Sequence, residues 1–100
     1  MHVPTNIADE DQVNQLVAQT VAQWGGLDIF VHCAGIRRVN SLLDTSLKKW
    51  REVMGTNLDA AFLCSKAVVP HMKPNMGRLM YVSGVSAFRD PSHRAHVMAS

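Results

Sequence analysis

The side chains of this 100-residue chain with chemistry to offer are few: five histidines, two cysteines and a scatter of hydroxyls. His93 and His96 lie three apart, as two ligands of one metal can. No third ligand stands with them, so no metal site is read here. His96 carries an imidazole whose intrinsic pKa suits proton transfer near neutral pH. The plainer expectation for it is an exposed histidine in a loop or helix. Cys33 and Cys64 show no metal spacing, and a disulfide between them is not expected: one falls in a strand pattern and the other in a helix pattern, with no secretory signal ahead. Cys33 is a weak hydrogen-bonder that suits burial. His32 alternates to the other side of the strand and reads as a structural histidine with its bonds satisfied. Arg37 and Arg38 can meet an anionic group, although solvated surface arginines are the simpler expectation. Ser83 and Ser86 follow an apolar run.

These residues need elements to hold them. Leu27–Gly35 (LDIFVHCAG) is an apolar run preceded by Gly25-Gly26 and closed by Ala34-Gly35. That pattern predicts a strand buried on both faces, as in a parallel sheet covered by helices. Its small carboxyl-end residues leave the backbone open to a ligand, at the edge where open α/β sheets bind theirs. Asp9–Trp24 predicts a helix: Val13, Leu16, Val17, Val21 and Trp24 share a face, acidic residues crowd the first turn, and Gly25 is placed to stop it. Trp24 is expected in core or boundary packing. Residues 36–44 form a polar loop. A long helix is predicted over 46–72, with Asp44, Thr45 and Ser46 offering N-cap chemistry and a stripe of Leu47, Trp50, Met54, Leu58, Ala61, Ser65, Val68 and Met72. Phe62, Leu63 and Val69 widen that stripe, which suggests a second contact surface. Gly55 offers a place to kink. Leu79–Ser83 predicts a second strand, parallel to the first through a right-handed crossover. A loop with the Asp90-Pro91 turn follows, and Ser92 or His93 opens a partial last helix.

Composition bounds the rest. With 47% hydrophobic and 18% charged residues and a net charge of +2, the chain suits one small globular domain. No apolar run is long enough to span a membrane, no signal peptide precedes the first helix, and the cytoplasm is the default. The pairs Arg37-Arg38 and Lys48-Lys49 are too short to read as a nucleic-acid footprint.

The segment GGLDIFVHCAG resembles the GxLDxLVNNAG stretch of the short-chain dehydrogenase/reductase family. VMGTNLDAAFLCSKAVVPHM and GRLMYVS resemble the family's next helix and strand, in the same order and at the same spacing. The resemblance covers nearly the whole chain. It implies a partial Rossmann-type α/β fold in residues 1–100, a parallel sheet with crossover helices in the order β-α-β-α-β plus a partial last helix. It also implies NAD- or NADP-dependent hydride transfer between a small alcohol and its carbonyl, and assembly of a homo-oligomer through the 46–72 helix.

By the same resemblance Asn57, in the TNL triplet, matches the family's asparagine that supports a water-linked proton relay. The substrate-binding serine falls at Gly84, one step after Ser83. The acid/base tyrosine falls at Val97, beside His96, and its lysine would follow Ser100. Valine can neither give nor take a proton, and losing a positioned acid/base typically costs about 10²–10⁴ in rate. Ser83 or Ser86 for the hydroxyl, and His96 for the acid, are the substitutes the sequence offers. Cofactor contacts fall at Asn6 and Ile7 near the adenine, at Cys33, Ala34 and Gly35, and at Thr56 and Val82. Asn6 either meets an adenine amino group or starts the next helix. The glycine-rich turn that cradles a pyrophosphate has no equivalent, since Gly25-Gly26 ends a helix and Gly77 a turn. The isolated chain is therefore expected to be inactive and to bind little cofactor. A non-catalytic module assembling through the long helix is the alternative.

Overall fold

The first helix is set by a dense local network. In the computed structural model, which describes residues 1–84, 96, 99 and 100, Asp9 caps α1 (Glu10–Trp24) by accepting from the Gln12 amide at 3.1 Å. Asn6 builds the turn before it. Its Oδ1 accepts from the Ala8 amide at 3.1 Å, and its own amide donates to Gln12 Oε1 at 2.8 Å. Gly25 closes the helix at φ 82°, a left-handed position that favours glycine, with its N–H on the Val21 carbonyl at 2.7 Å. Trp24 is 59% exposed and so is not core, contrary to its position on the periodic face.

The sheet has two parallel strands, β1 (Ile29–His32) and β2 (Arg78–Tyr81), paired Ile29 with Arg78 through His32 with Tyr81. The ladder continues one step further, where the Val82 amide donates to the His32 carbonyl at 2.9 Å. Three strands were expected. Among the described residues Met1–Ile7 forms none, because its polar groups close the turn into α1 instead.

The connection between the strands is helical throughout, but not one α-helix. Ser46 caps α2 (Leu47–Met54), accepting from the Lys49 amide at 3.2 Å. A π-helical turn follows at Gly55–Asp59, then α3 (Ala60–Val68), then a 3₁₀ turn at Val69–His71 that contains Pro70. The wide turn begins at Gly55, where a kink was expected, and takes up an extra residue. A stripe counted at a steady helical period then falls out of phase. Leu47 and Leu58 of the expected stripe are exposed, and the buried residues are Val53, Ala60, Cys64 and Val68, of which Val68 alone belongs to that stripe. With Val13 and Val17 of α1 they form the core, and α1 packs on α3.

Alternation places Phe30, His32, Leu79 and Tyr81 on one face of the sheet and Ile29, Val31, Met80 and Val82 on the other. α3 covers part of the first face, where the Ser65 and Tyr81 hydroxyls meet. The second is open: Ile29 is 59% and Val31 46% exposed. The doubly buried strand predicted from the apolar run is thus buried on one face only. Of the partial last helix, His96 and Ala99 are described and are helical. Ser86, Asp90-Pro91, Ser92, His93 and Val97 lie outside the described residues.

Candidate active site

The carboxyl ends of both strands open onto a cavity of about 410 Å³. One wall runs from His32 to Arg37 after β1, another from Tyr81 to Gly84 after β2, and the floor is Asn57, Leu58 and Ala61 from the helical crossover, with Ser100 beside them. The placement is that expected of a ligand site in a parallel α/β sheet.

Asn57 organises the cavity. It sits in the π-helical turn, a feature that recurs at functional sites. Its Oδ1 accepts from the Ile36 amide at 2.8 Å, and its Nδ2 donates to the Ile36 carbonyl at 3.1 Å and to Ser100 Oγ at 2.9 Å. One side chain therefore satisfies both backbone groups of Ile36 across the sheet edge. Gly35 passes so close that a Cβ there would lie 3.4 Å from Asn57 Oδ1. Beyond Ile36 the loop is tied again: Arg38 forms an ion pair with Glu52 of α2 at 2.6 Å, and Ser41 donates to Asp44 Oδ2 at 2.5 Å.

Of the residues singled out from sequence, the cavity gathers Asn57, Ser83, Cys33, Ala34, Gly35 and Val82, together with Gly84. It does not gather Asn6, Ile7, Thr56 or His96. Asn6 is engaged at the start of α1, which realises the second of its two readings. His96 is fully buried rather than exposed, with no hydrogen-bond partner for either ring nitrogen. His32 is buried as expected, but its Nε2 has no partner, so it is not the satisfied histidine the strand pattern suggested. It packs between Phe30 and Tyr81, 6.2 Å from each ring centroid. Cys33, expected to be buried, is exposed at the cavity wall, because the chain leaves β1 immediately before it. Cys64 is the buried thiol, and burial pushes its pKa up. Sequence reasoning did not find the Asn57–Ile36 clamp or the place of Tyr81 in the wall. Both rest on contacts between distant residues, which leave no periodic trace.

A dinucleotide needs a flat apolar recess for the nicotinamide and a cradle of backbone amides for the pyrophosphate. The cavity provides residues suited to the first: Ala34, Gly35, Ile36 and Val82 present small or apolar groups at the strand ends. Gly25, Gly26 and Gly77 stand before the strands, at the edge of the sheet opposite the cavity. The described residues fit one end of such a cofactor and not its phosphates.

A two-stranded parallel sheet with a helical crossover and a ligand cavity at its carboxyl edge defines part of a doubly wound α/β domain. The family model for enoyl-(acyl carrier protein) reductase matches residues 1–100. The chain is 34% identical over 99 residues to a 3-oxoacyl-(acyl-carrier-protein) reductase of Synechocystis, covering 98% of this chain and 40% of that protein. It is 28% identical over 86 residues to a meso-2,3-butanediol dehydrogenase of Serratia marcescens, covering 86% of this chain and 34% of that protein. Among solved structures it superposes on a short-chain dehydrogenase/reductase from Brucella melitensis with a TM-score of 0.92 at 25% identity, and on a double mutant of another from Serratia marcescens with 0.89 at 26%. It covers 97% of itself and 40% of each of those chains. The chain belongs to the short-chain dehydrogenase/reductase family and spans about two-fifths or less of the length of these relatives.

Proposed function

We propose that residues 1–100 are one partial dinucleotide-binding domain forming the substrate-side wall of an NAD- or NADP-dependent oxidoreductase that interconverts a small alcohol and its carbonyl. The observation that carries this is the cavity at the carboxyl ends of β1 and β2, floored by Asn57 in a π-helical turn. A bound nicotinamide would supply or accept the hydride. Asn57 holds the Ile36 wall at a fixed distance from the β2 end. Ser83 brings a hydroxyl to the cavity, where it can hydrogen-bond a substrate oxygen in place of the serine absent at Gly84. With valine at 97 and His96 outside the lining, proton transfer is the weak step, and turnover is expected to be low.

Two measurements test this. Titration calorimetry of the chain with millimolar NADH or NADPH should give no micromolar isotherm, since the phosphate cradle has no equivalent among the described residues. Within a protein that holds this segment beside a cofactor-binding half, Gly84→Ser with Val97→Tyr should raise carbonyl reduction by about two orders of magnitude or more. No gain would place the reacting centre elsewhere.

A module assembling through its long helix is the second reading. It is favoured by Phe62 and Val69, apolar side chains that stand exposed along the helical crossover outside the cavity. Homo-oligomers in which these residues are covered would fit either reading.

A further inference from the structure

Two adjacent arginines follow β1, and the structure gives them different surroundings. Arg38 is neutralised by Glu52 at 2.6 Å. Arg37 has no side-chain partner among the described residues and lines the cavity. It is the only Lys, Arg, Asp or Glu among the lining residues described. Among the described lining residues, Arg37 thus carries the one charged side chain, and no Asp or Glu stands with it.

Arg37 is also held in place from both sides. Ile36 before it has its amide and carbonyl fixed by Asn57, at 2.8 and 3.1 Å. Arg38 after it is latched to α2. The backbone of Arg37 is thereby anchored although its side chain is exposed, and less freedom is lost when it meets a ligand. A guanidinium presents a planar fork of donors that matches the two oxygens of a carboxylate or phosphate.

We infer that Arg37 receives an anionic group of the molecule bound in this cavity, a carboxylate or phosphate carried by the substrate or by the cofactor. This rests on the cavity being the ligand site of the proposed oxidoreductase, and it narrows that site to anionic ligands. The neighbouring charges agree. Segment 37–52 holds Arg37, Arg38, Lys48, Lys49 and Arg51 against Asp44 and Glu52, a net of +3 beside a whole-chain net of +2. An approaching anion is therefore drawn toward this side of the molecule.

The full chain, isotopically labelled, is titrated with acetoacetate, with its uncharged methyl ester and with inorganic pyrophosphate, while the amide signals of Gly35 to Arg38 are followed. Acetoacetate should bind roughly three- to tenfold more tightly than the ester, a modest factor because Arg37 is exposed. Arg37→Gln should remove that preference. Lys48→Gln, which changes the net charge equally at a residue outside the cavity lining, should preserve it. Pyrophosphate binding that depends on Arg37, with acid and ester bound alike, would support the inference and assign the anion to the cofactor. Equal binding of acid and ester with no Arg37-dependent pyrophosphate binding overturns it, as does the absence of any binding near residues 35–38. The proposed activity is judged separately. A whole protein that turns over the ester as well as the acid, with no Arg37-dependent pyrophosphate binding, keeps the oxidoreductase reading and sinks this inference. Arg37-dependent anion binding without nicotinamide-dependent turnover does the reverse.

Discussion

Asn57 commits both of its amide protons and its carbonyl oxygen to holding the loop after β1 and Ser100. Asn57→Ala would leave the Ile36 amide and carbonyl without their partner, and a hydrogen bond removed in this way costs about 1–3 kcal/mol. Denaturant unfolding should register that loss, and the Ile36 amide should exchange faster with solvent. Unchanged exchange at Ile36 would mean that the loop is held by something else. The two thiols separate at the same scale. Cys33 is exposed and Cys64 buried, so iodoacetamide should modify Cys33 quickly and Cys64 only as the fold opens; equal rates would contradict the packing of α3. Burial raises the Cys64 pKa, so the folded chain holds that proton more tightly than the unfolded one. The stabilising effect is complete below the ordinary thiol range of about 8.5 and is lost as pH rises through the raised value. Sequence reasoning located Asn57 by its triplet but could not see Ile36, which lies 21 positions away. It misjudged Cys33 and His96 because exposure depends on where the chain turns and on what packs against it, which residue type alone does not carry.

At the scale of elements the sequence was more informative, wherever the signals were local. The α1 helix ends at Gly25 as foretold, and it begins one residue later than expected, with Asp9 as its N-cap rather than within its first turn. The parallel pairing of the two strands also followed from apolar runs joined by a long helical crossover. One feature escaped. The π-helical turn shifts the buried face of the crossover, and a period-counting reading has no term for one extra residue. The turn that Gly77 was expected to end stands before β2. Lys73 to Gly77 reverses the chain with Asn75 at φ 63°, and Gly77 lies against Met72. A Cβ on Gly77 would come within 2.7 Å of Met72 Sδ and 2.9 Å of Met72 Cβ. The second atom is fixed to the backbone and cannot swing away. Gly77→Ala should therefore destabilise the chain by about 1–3 kcal/mol, the usual range for forced overpacking. Thermal or denaturant unfolding would show it. A variant as stable as the parent would mean that the turn relaxes without cost to the β1–β2 ladder.

For the whole molecule the controlling fact is how much apolar surface the two-stranded sheet leaves open. Ile29, Val31, Met80 and Val82 share one bare face, and the edge of β1 away from β2 pairs with no strand among the described residues. An open strand edge beside an exposed apolar face is a template for pairing with another chain. The rest of the surface does not oppose this strongly, since a net charge of +2 gives little repulsion between copies. The isolated chain should therefore self-associate, and the apparent mass in sedimentation should rise with concentration. Val31→Lys tests which surface is responsible. It places a charge at the centre of the bare face, at a side chain already 46% exposed, so the burial lost within one copy is small. Association through this face should weaken, with the helical content by circular dichroism unchanged. Phe62→Lys makes the parallel test on the exposed side of α3. If the second change dissolves the assembly and the first does not, the copies meet through the helical crossover, as the module reading requires. A monomer at all concentrations, with strong amide protection throughout β1, would show that the sheet is stable without further cover.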